Sequence, residues 1–185
     1  IRAVKSVSTY RGRDPREAVL LAFGGCGPLV ATTLAQALGM REVIIPPHPG
    51  LFSAFGLLVS EPEHESVRTW CRRLEEVRPE DLNRLYGELE SQAVETLVAE
   101  GYRPEQIRVR RLADLRYVNQ STELTVPAPG VPLGPGELTT LAEAFEQEHL
   151  TTYGHRASHD PIELVNLRIV SSVIREFGAD EPRDL

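Results

Sequence analysis

The stretch from Leu20 to Gly39, LLAFGGCGPLVATTLAQALG, limits what this chain can fold into more than any other. The run AVLLAF, Ala18 to Phe23, is continuously apolar, the pattern of a strand covered on both faces in an α/β sheet. Three glycines in four residues follow it, Gly24, Gly25 and Gly27. Pro28 suits the first turn of a helix, where a missing N–H costs nothing. The helix is predicted to run to Leu38 and to stop at Gly39. REVIIP then supplies a second strand, Glu42 to Ile45. Strand, glycine loop, helix and strand make a βαβ unit.

Such a loop presents free backbone N–H groups and the positive end of a helix dipole, which together attract phosphate and allow close backbone approach. A P-loop needs Lys followed by Ser or Thr; Pro28, Leu29 and Val30 stand there instead, so that reading fails. A dinucleotide fold needs a third glycine and an acidic residue near the end of the next strand. Val30 holds the glycine position and Ile45, Pro46 and Pro47 end the strand, so that reading is weak. A third reading is the adenosine loop of the actin and sugar-kinase superfamily, where a Gly-Gly pair after a strand lets the nucleotide lie against bare backbone. Two alternatives stay open beside it. One is a plain packing turn. The other is a nucleophilic Cys26 at the helix N-terminus, which needs a base such as His48 from the following loop.

Downstream, Pro46, Pro47 and Pro49 predict a stiff loop, and Gly50 to Leu58 a short apolar helix. A first region is expected to end near Ser60, giving domains at 1–60 and 61–178 and a tail at 179–185. EHESVRTWC alternates like a strand. Pro79 to Glu100 is an amphipathic helix with Leu82, Leu85, Leu89, Ala93 and Leu97 on one face, ended by Gly101. IRVRRLADLRYV and STELTVPA read as strands joined by a turn near Asn119 and Gln120. Glu137 to Tyr153 is a second amphipathic helix, with Leu138, Leu141, Phe145 and His149 on or near one face. IELVNLRIVSSVIRE is a final strand. The order β-α-β-β-α-β is that of split βαβ, ferredoxin-like domains. The fold class is thus α/β followed by α+β.

The 185 residues are 41% apolar and 25% charged, ordinary for a globular protein that buries a real core. The net charge of −7 argues against a nucleic-acid partner, which would need clustered Lys and Arg. Arg108 and Arg110 share a strand face, which reads as a solvated one. No run approaches the roughly 18 apolar residues of a membrane span, and no signal peptide is visible. Two cysteines, Cys26 and Cys71, form no disulfide framework, so a reduced, cytoplasmic setting is expected. The chain opens on Ile1 rather than Met, which suggests a piece of a longer polypeptide.

Three separated motifs carry a resemblance. DPREAVLLAFGGCGPLVATTLAQALGMREVIIPPHPGLFSAFGLLVSEPEHESVRT, DLRYVNQSTELTVP and FEQEHLTTYGHRASHDPIELVNLRI are together similar to the hydantoinase A / 5-oxoprolinase family, in the same order, from Asp14 to about Val170. That family includes N-methylhydantoinase A proteins and acetone-carboxylase-type subunits. The resemblance implies that this chain is the C-terminal end of a longer subunit, and that residues 1–60 close an actin-like ATPase lobe whose acidic, Gly-rich phosphate motif lies elsewhere. It implies ATP, with Mg held by ligands outside this chain, and nucleotide contact by Gly24, Gly25, Cys26, Gly27 and Pro28. The implied activity is ATP-dependent opening of a five-membered cyclic amide such as a hydantoin or 5-oxoproline. ATP-dependent ketone carboxylation and a non-catalytic assembly module are the alternatives. The implied partners are the N-terminal part of the same subunit and a hydantoinase B-type subunit. Catalytic residues are not identified, and the isolated chain is expected to be inactive.

Three positions depart from the family pattern. The family usually reads Gly-Gly-Ala-Gly-Pro-Leu-His; here Cys26 stands for the Ala and Val30 for the His. The Val30 change bears on activity or specificity, and the Cys26 change weakens the nucleophile reading, since relatives work with Ala. Asn119 replaces a usual Gly, and Asn tolerates the same left-handed turn. Asp114, Arg116, Tyr117 and Gln120 cluster on the long strand and its turn. Asp114 and Arg116, two apart on one face, are expected to pair, as a structural ion pair rather than as chemistry. His149, His155, His159 and Asp160 match no zinc spacing well and read as a helix end with surface histidines.

Overall fold

The structure, a computed structural model, describes residues 1–130, 132–157 and 160–174; the expected tail at 179–185 lies outside them. The chain divides into two compact units, one holding Ile1–Ser60 and the other Glu61–Leu150.

The first unit begins with helix α1 (Arg2–Val7). Asp14 then caps a short 3-10 turn at Pro15–Glu17 by accepting from the Arg16 N–H at 2.9 Å. Strands β1 (Leu20–Leu21) and β2 (Val43–Ile44) pair in parallel, Leu20 opposite Val43 and Leu21 opposite Ile44. Between them lies helix α2 (Gly27–Leu38), which buries Ala31, Ala35 and Leu38. Gly39 ends it at φ +69°, where the Gly39 N–H donates to Gln36 O at 3.2 Å and the Met40 N–H to Ala35 O at 2.9 Å, so the last carbonyls of the helix are satisfied. A 3-10 turn at Pro49–Leu51 leads into helix α3 (Phe52–Val59). The βαβ unit is therefore present, with a shorter ladder than the apolar run predicts. One residue past β2, Pro46 and Pro47 have no N–H to donate, so the pairing stops. Ala22 is buried, while Val19, Leu21 and Phe23 remain more than 40% exposed.

The second unit is a four-stranded antiparallel sheet with two helices packed against it. Its elements are β3 (Glu63–Arg73), helix α4 (Pro79–Ala99), β4 (Ile107–Tyr117), β5 (Leu124–Pro127), helix α5 (Pro135–Tyr153) and β6 (Ile162–Val173). The predicted face of α4 is the buried one, with Tyr86 added to it, and α5 buries Leu141, Phe145 and His149. They meet Ala113, Leu115 and Tyr117 of β4 and Leu164, Leu167 and Ile169 of β6 in one core.

The sheet order is β3-β6-β4-β5. Each βαβ unit is split by one strand, as expected. The ferredoxin-like order nevertheless needs correcting, because β6 rather than the hairpin strand β5 lies between β3 and β4. Strand length accounts for this. β6 has 12 residues and can pair along both edges, whereas β5 has four and ends in Pro127, which suits a sheet edge.

The β4–β5 turn holds Asn119 at φ +73°. A left-handed conformation costs an ordinary residue about 1–2 kcal/mol, less for Asn and nothing for Gly. Asn119→Ala is expected to lower stability by about 1 kcal/mol and Asn119→Gly to leave it unchanged or slightly raised, read as the shift in urea midpoint. Equal effects of the two would mean that backbone strain does not govern this turn.

Candidate functional site

β1 and β2 run in parallel, so the loops after them emerge together at their carboxyl ends, where open α/β sheets bind ligands. The two loops are tied: the Gly24 N–H donates to the Pro49 carbonyl at 2.7 Å. Gly24 sits at φ +82°, a conformation that favours glycine. Gly25 differs. Its φ is outside the left-handed region, and a Cβ built on it meets nothing within 4 Å. At Gly27 a Cβ would make only an ordinary contact, 3.8 Å from the Ala22 carbonyl carbon. Neither backbone strain nor packing among the described residues explains glycine at 25.

Cys26 is the N-cap of α2, but no side-chain hydrogen bond caps the helix there. Pro28 lies within the first turn, which contains no acidic residue. The first N–H groups of α2 therefore have no intrahelical partner and face the loop side. The Cys26 thiol is exposed, and among the described residues no hydrogen bond joins it to His48 or another base. Val30, at the position of the family's usual His, is 56% exposed in the first turns of α2.

From the sequence His48 reads only as a possible base for Cys26. Like Asn119 it is a non-glycine residue at positive φ, +51°, and it stands immediately before the Pro49 that ties the two loops. A place before Pro49 favours extended backbone, so the sequence gives no signal of this conformation.

Asp114 and Arg116 do share a strand face, but they do not pair with each other. Asp114 is completely buried and accepts from Thr125 Oγ1 at 2.7 Å, Asn166 Nδ2 at 3.0 Å and Arg168 Nη2 at 2.8 Å. Arg116 pairs with Glu163 at 2.6 Å. The expected pair is wrong because residues across a ladder lie closer than residues two apart along one strand; Asn166 is directly opposite Asp114 and Arg168 is opposite Leu112. Arg168 also pairs with Glu65. Burial by itself raises the Asp114 carboxyl. The hydrogen bonds from Arg168, Thr125 and Asn166, with the Arg168 charge, outweigh it and hold the group below the usual carboxylate range.

Tyr117 and Gln120 hold the connection between α5 and β6. The Tyr117 hydroxyl accepts from the Ala157 N–H at 3.1 Å, and the Val118 N–H donates to Pro161 O at 2.9 Å. Gln120 Nε2 lies 3.0 Å from His149 Nε2, and His149 Nδ1 lies 2.9 Å from the His155 carbonyl. A carbonyl only accepts, so Nδ1 carries the proton and Nε2 accepts from Gln120. His149 is thus a buried hydrogen-bonding residue, not the surface histidine expected. His159 lies outside the described residues, and among those residues no three His, Cys, Asp or Glu side chains are grouped to hold a metal ion. No helix among them is long and apolar enough to cross a membrane.

Comparison with known proteins matches residues 1–66 to the profile of the hydantoinase/oxoprolinase family and residues 73–165 to that of the hydantoinase/oxoprolinase C-terminal domain. An uncharacterized protein of Methanocaldococcus jannaschii is 34% identical over 91% of this chain and 23% of its own length. Caprolactamase subunit alpha of Pseudomonas jessenii is 29% identical over 90% of this chain and 24% of its own length. The crystal structure of the ATP-dependent caprolactamase of that organism superposes on 95% of this chain and 26% of its own, with a TM-score of 0.86 and 27% identity. A nucleotide-free acetone carboxylase shares the fold, with a TM-score of 0.69 over 94% of this chain at 20% identity. The chain spans about a quarter of the length of these relatives. It belongs to the hydantoinase/oxoprolinase family.

Proposed function

We propose that the full-length protein is an ATP-dependent cyclic-amide hydrolase, and that residues 1–60 are the end of an actin-like ATPase lobe carrying the adenosine-side loop. Gly25 is the observation that carries this reading. A glycine that neither its backbone nor its neighbours require, beside unpaired helix N–H groups, is suited to a ligand that must touch backbone. Gly24, Cys26, Gly27 and Pro28 shape the same surface. Mg and the groups that hold the phosphates belong to other parts of the polypeptide. So does the cover for Leu21, Leu29 and Leu57, exposed here at 45%, 79% and 77%. Transfer of the terminal phosphoryl group of ATP to the amide oxygen releases ADP and makes the amide carbon more electrophilic. Water adds to that carbon, the C–N bond breaks as the ring nitrogen takes a proton and leaves, and hydrolysis of the resulting acyl phosphate releases phosphate and the open-chain acid. The relative named as a subunit alpha supports a multi-subunit assembly, and the partner proposed for it is a hydantoinase B-type subunit.

The test is ADP release by the full-length protein with its partner subunit, offered a hydantoin, 5-oxoproline, caprolactam, or acetone with bicarbonate. Turnover with a cyclic amide supports the proposal. Turnover only with ketone and bicarbonate would replace it with the carboxylase reading. In the same assay Cys26→Ala is expected to keep at least half of the activity. Complete loss, or a stoichiometric substrate adduct on the thiol, would make Cys26 the nucleophile.

A further inference from the structure

We infer that the part of β4 that β5 leaves unpaired takes a short extended strand from another part of the full-length polypeptide; this rests on the longer polypeptide of the proposed function. β4 starts at Ile107, whereas β5 pairs only with its residues 112–115. Two backbone bonds show which way the residues before that point. The Ile174 N–H donates to Gln106 O at 2.7 Å, so Gln106 and every second residue after it turn their backbone groups to β6. The Ala128 N–H donates to Arg111 O at 3.0 Å, so Arg111, and Val109 in step with it, turn theirs to the β5 side. Val109 lies beyond the last of these bonds. Among the described residues its N–H and C=O have no partner on that side. Pro127, paired with Leu112, turns its missing N–H outward and blunts the outer edge of β5. Nothing blunts the edge at Val109.

A second unmet group lies at the same place. A hollow of about 410 Å³ opens there, lined by Val109, Arg111, Glu90 and residues 127–130 among others. The Arg111 side chain is only 7% exposed. Its Nε and Nη2 donate to Glu90 at 2.5 and 2.6 Å, and its guanidinium lies 5.0 Å from the centre of the Tyr86 ring. Its Nη1 is buried with no partner among the described residues.

These groups decide the occupant. The Val109 N–H needs an acceptor, its C=O needs a donor, and Nη1 needs an oxygen. A phosphate or carboxylate supplies acceptors only, and Glu90 already offsets the guanidinium charge. An extended chain supplies both kinds of group, as in strand addition at a sheet edge. A second copy fits badly. Two-fold, antiparallel pairing about Val109 sets Arg108 opposite Arg110, like charge against like, and sets Ile107, which has no side-chain oxygen, opposite Arg111. Size points to the same polypeptide. The free stretch is residues 107–110, against roughly 20–30 residues a side in a stable interface between separate chains. A tethered segment, at an effective concentration on the order of millimolar, needs no such area. The chain spans about a quarter of the length of its relatives, which leaves ample polypeptide to supply the strand.

The test is hydrogen exchange at the Val109 amide of the full-length protein, with and without the partner subunit. The amide is expected to exchange at least a hundredfold more slowly than an unbonded one, and equally slowly in both samples. p-Benzoylphenylalanine in place of Arg110, a side chain 63% exposed beside the hollow, is expected to cross-link to a stretch of the same polypeptide outside these 185 residues. Exchange at the rate of an unbonded amide would overturn the inference; in a protein that still turns over a cyclic amide it would leave the proposed function standing. Protection that appears only with the partner subunit, or a cross-link to that subunit or to a second copy, would also overturn it, because the edge would then have a different occupant.

Discussion

Replacing Gly25 with valine in the full-length protein is expected to abolish ATP binding while the fold stays intact. The second half follows from the structure of the loop. The φ of Gly25 is one that other residues adopt, and a Cβ there has open space around it, so valine brings neither strain nor collision. The first half follows from the proposed ligand. A nucleotide lying against bare backbone leaves no room for two methyl groups, and an overlap of that size cannot be relieved by a rotamer change on a residue whose Cβ itself intrudes. Affinity is expected to fall by at least a hundredfold in calorimetry, with far-UV circular dichroism and melting temperature unchanged. Gly24→Ala is the informative contrast. At φ +82° the penalty is conformational, so its loss of binding should come with a loss of stability of about 1–2 kcal/mol. Wild-type affinity in Gly25→Val would take the loop out of the site.

How far such readings go from sequence depends on whether the interaction is local. The α4 stripe from Leu82 to Leu97 repeats at helical spacing, and its buried face could be read directly. The glycine loop was equally legible, because strand, Gly-Gly and Pro28 follow one another along the chain. The central place of β6 was not, since it is settled by which strand is long enough to pair on both edges. The partner of Asp114 was hidden for a related reason. Arg168 stands 54 residues away and meets Asp114 only once β4 and β6 are in register. A weak signal existed: one arginine, Arg168, inside the apolar run LVNLRIV needs an acid on a neighbouring strand. His48 shows a different limit, because positive φ at a non-glycine residue is imposed by the surroundings and leaves no mark in residue type.

Asp114→Ala is expected to cost about 3–5 kcal/mol, the range for removing one partner of a buried ion pair. The carboxylate is fully buried and serves three donors, so truncation strands Thr125, Asn166 and one arm of Arg168 together. Glu65 still pairs with Arg168 and moderates the loss. Asp114→Asn keeps the shape and one acceptor, and about half that cost is expected, read from urea unfolding. Acid separates the charge from the packing. The folded-state pKa of Asp114 is depressed, so its contribution is fully present above the unfolded value of about 3.9 and is lost as pH falls through the folded one. The stability difference between wild type and Asp114→Asn should therefore be flat from about pH 7 to pH 5 and shrink below about pH 4. Other carboxylates held low by arginines, such as Glu163 by Arg116, destabilise both proteins on acidification and cancel in the difference. A difference that stays constant into strong acid would mean that the network depends on the shape of Asp114 and not on its charge.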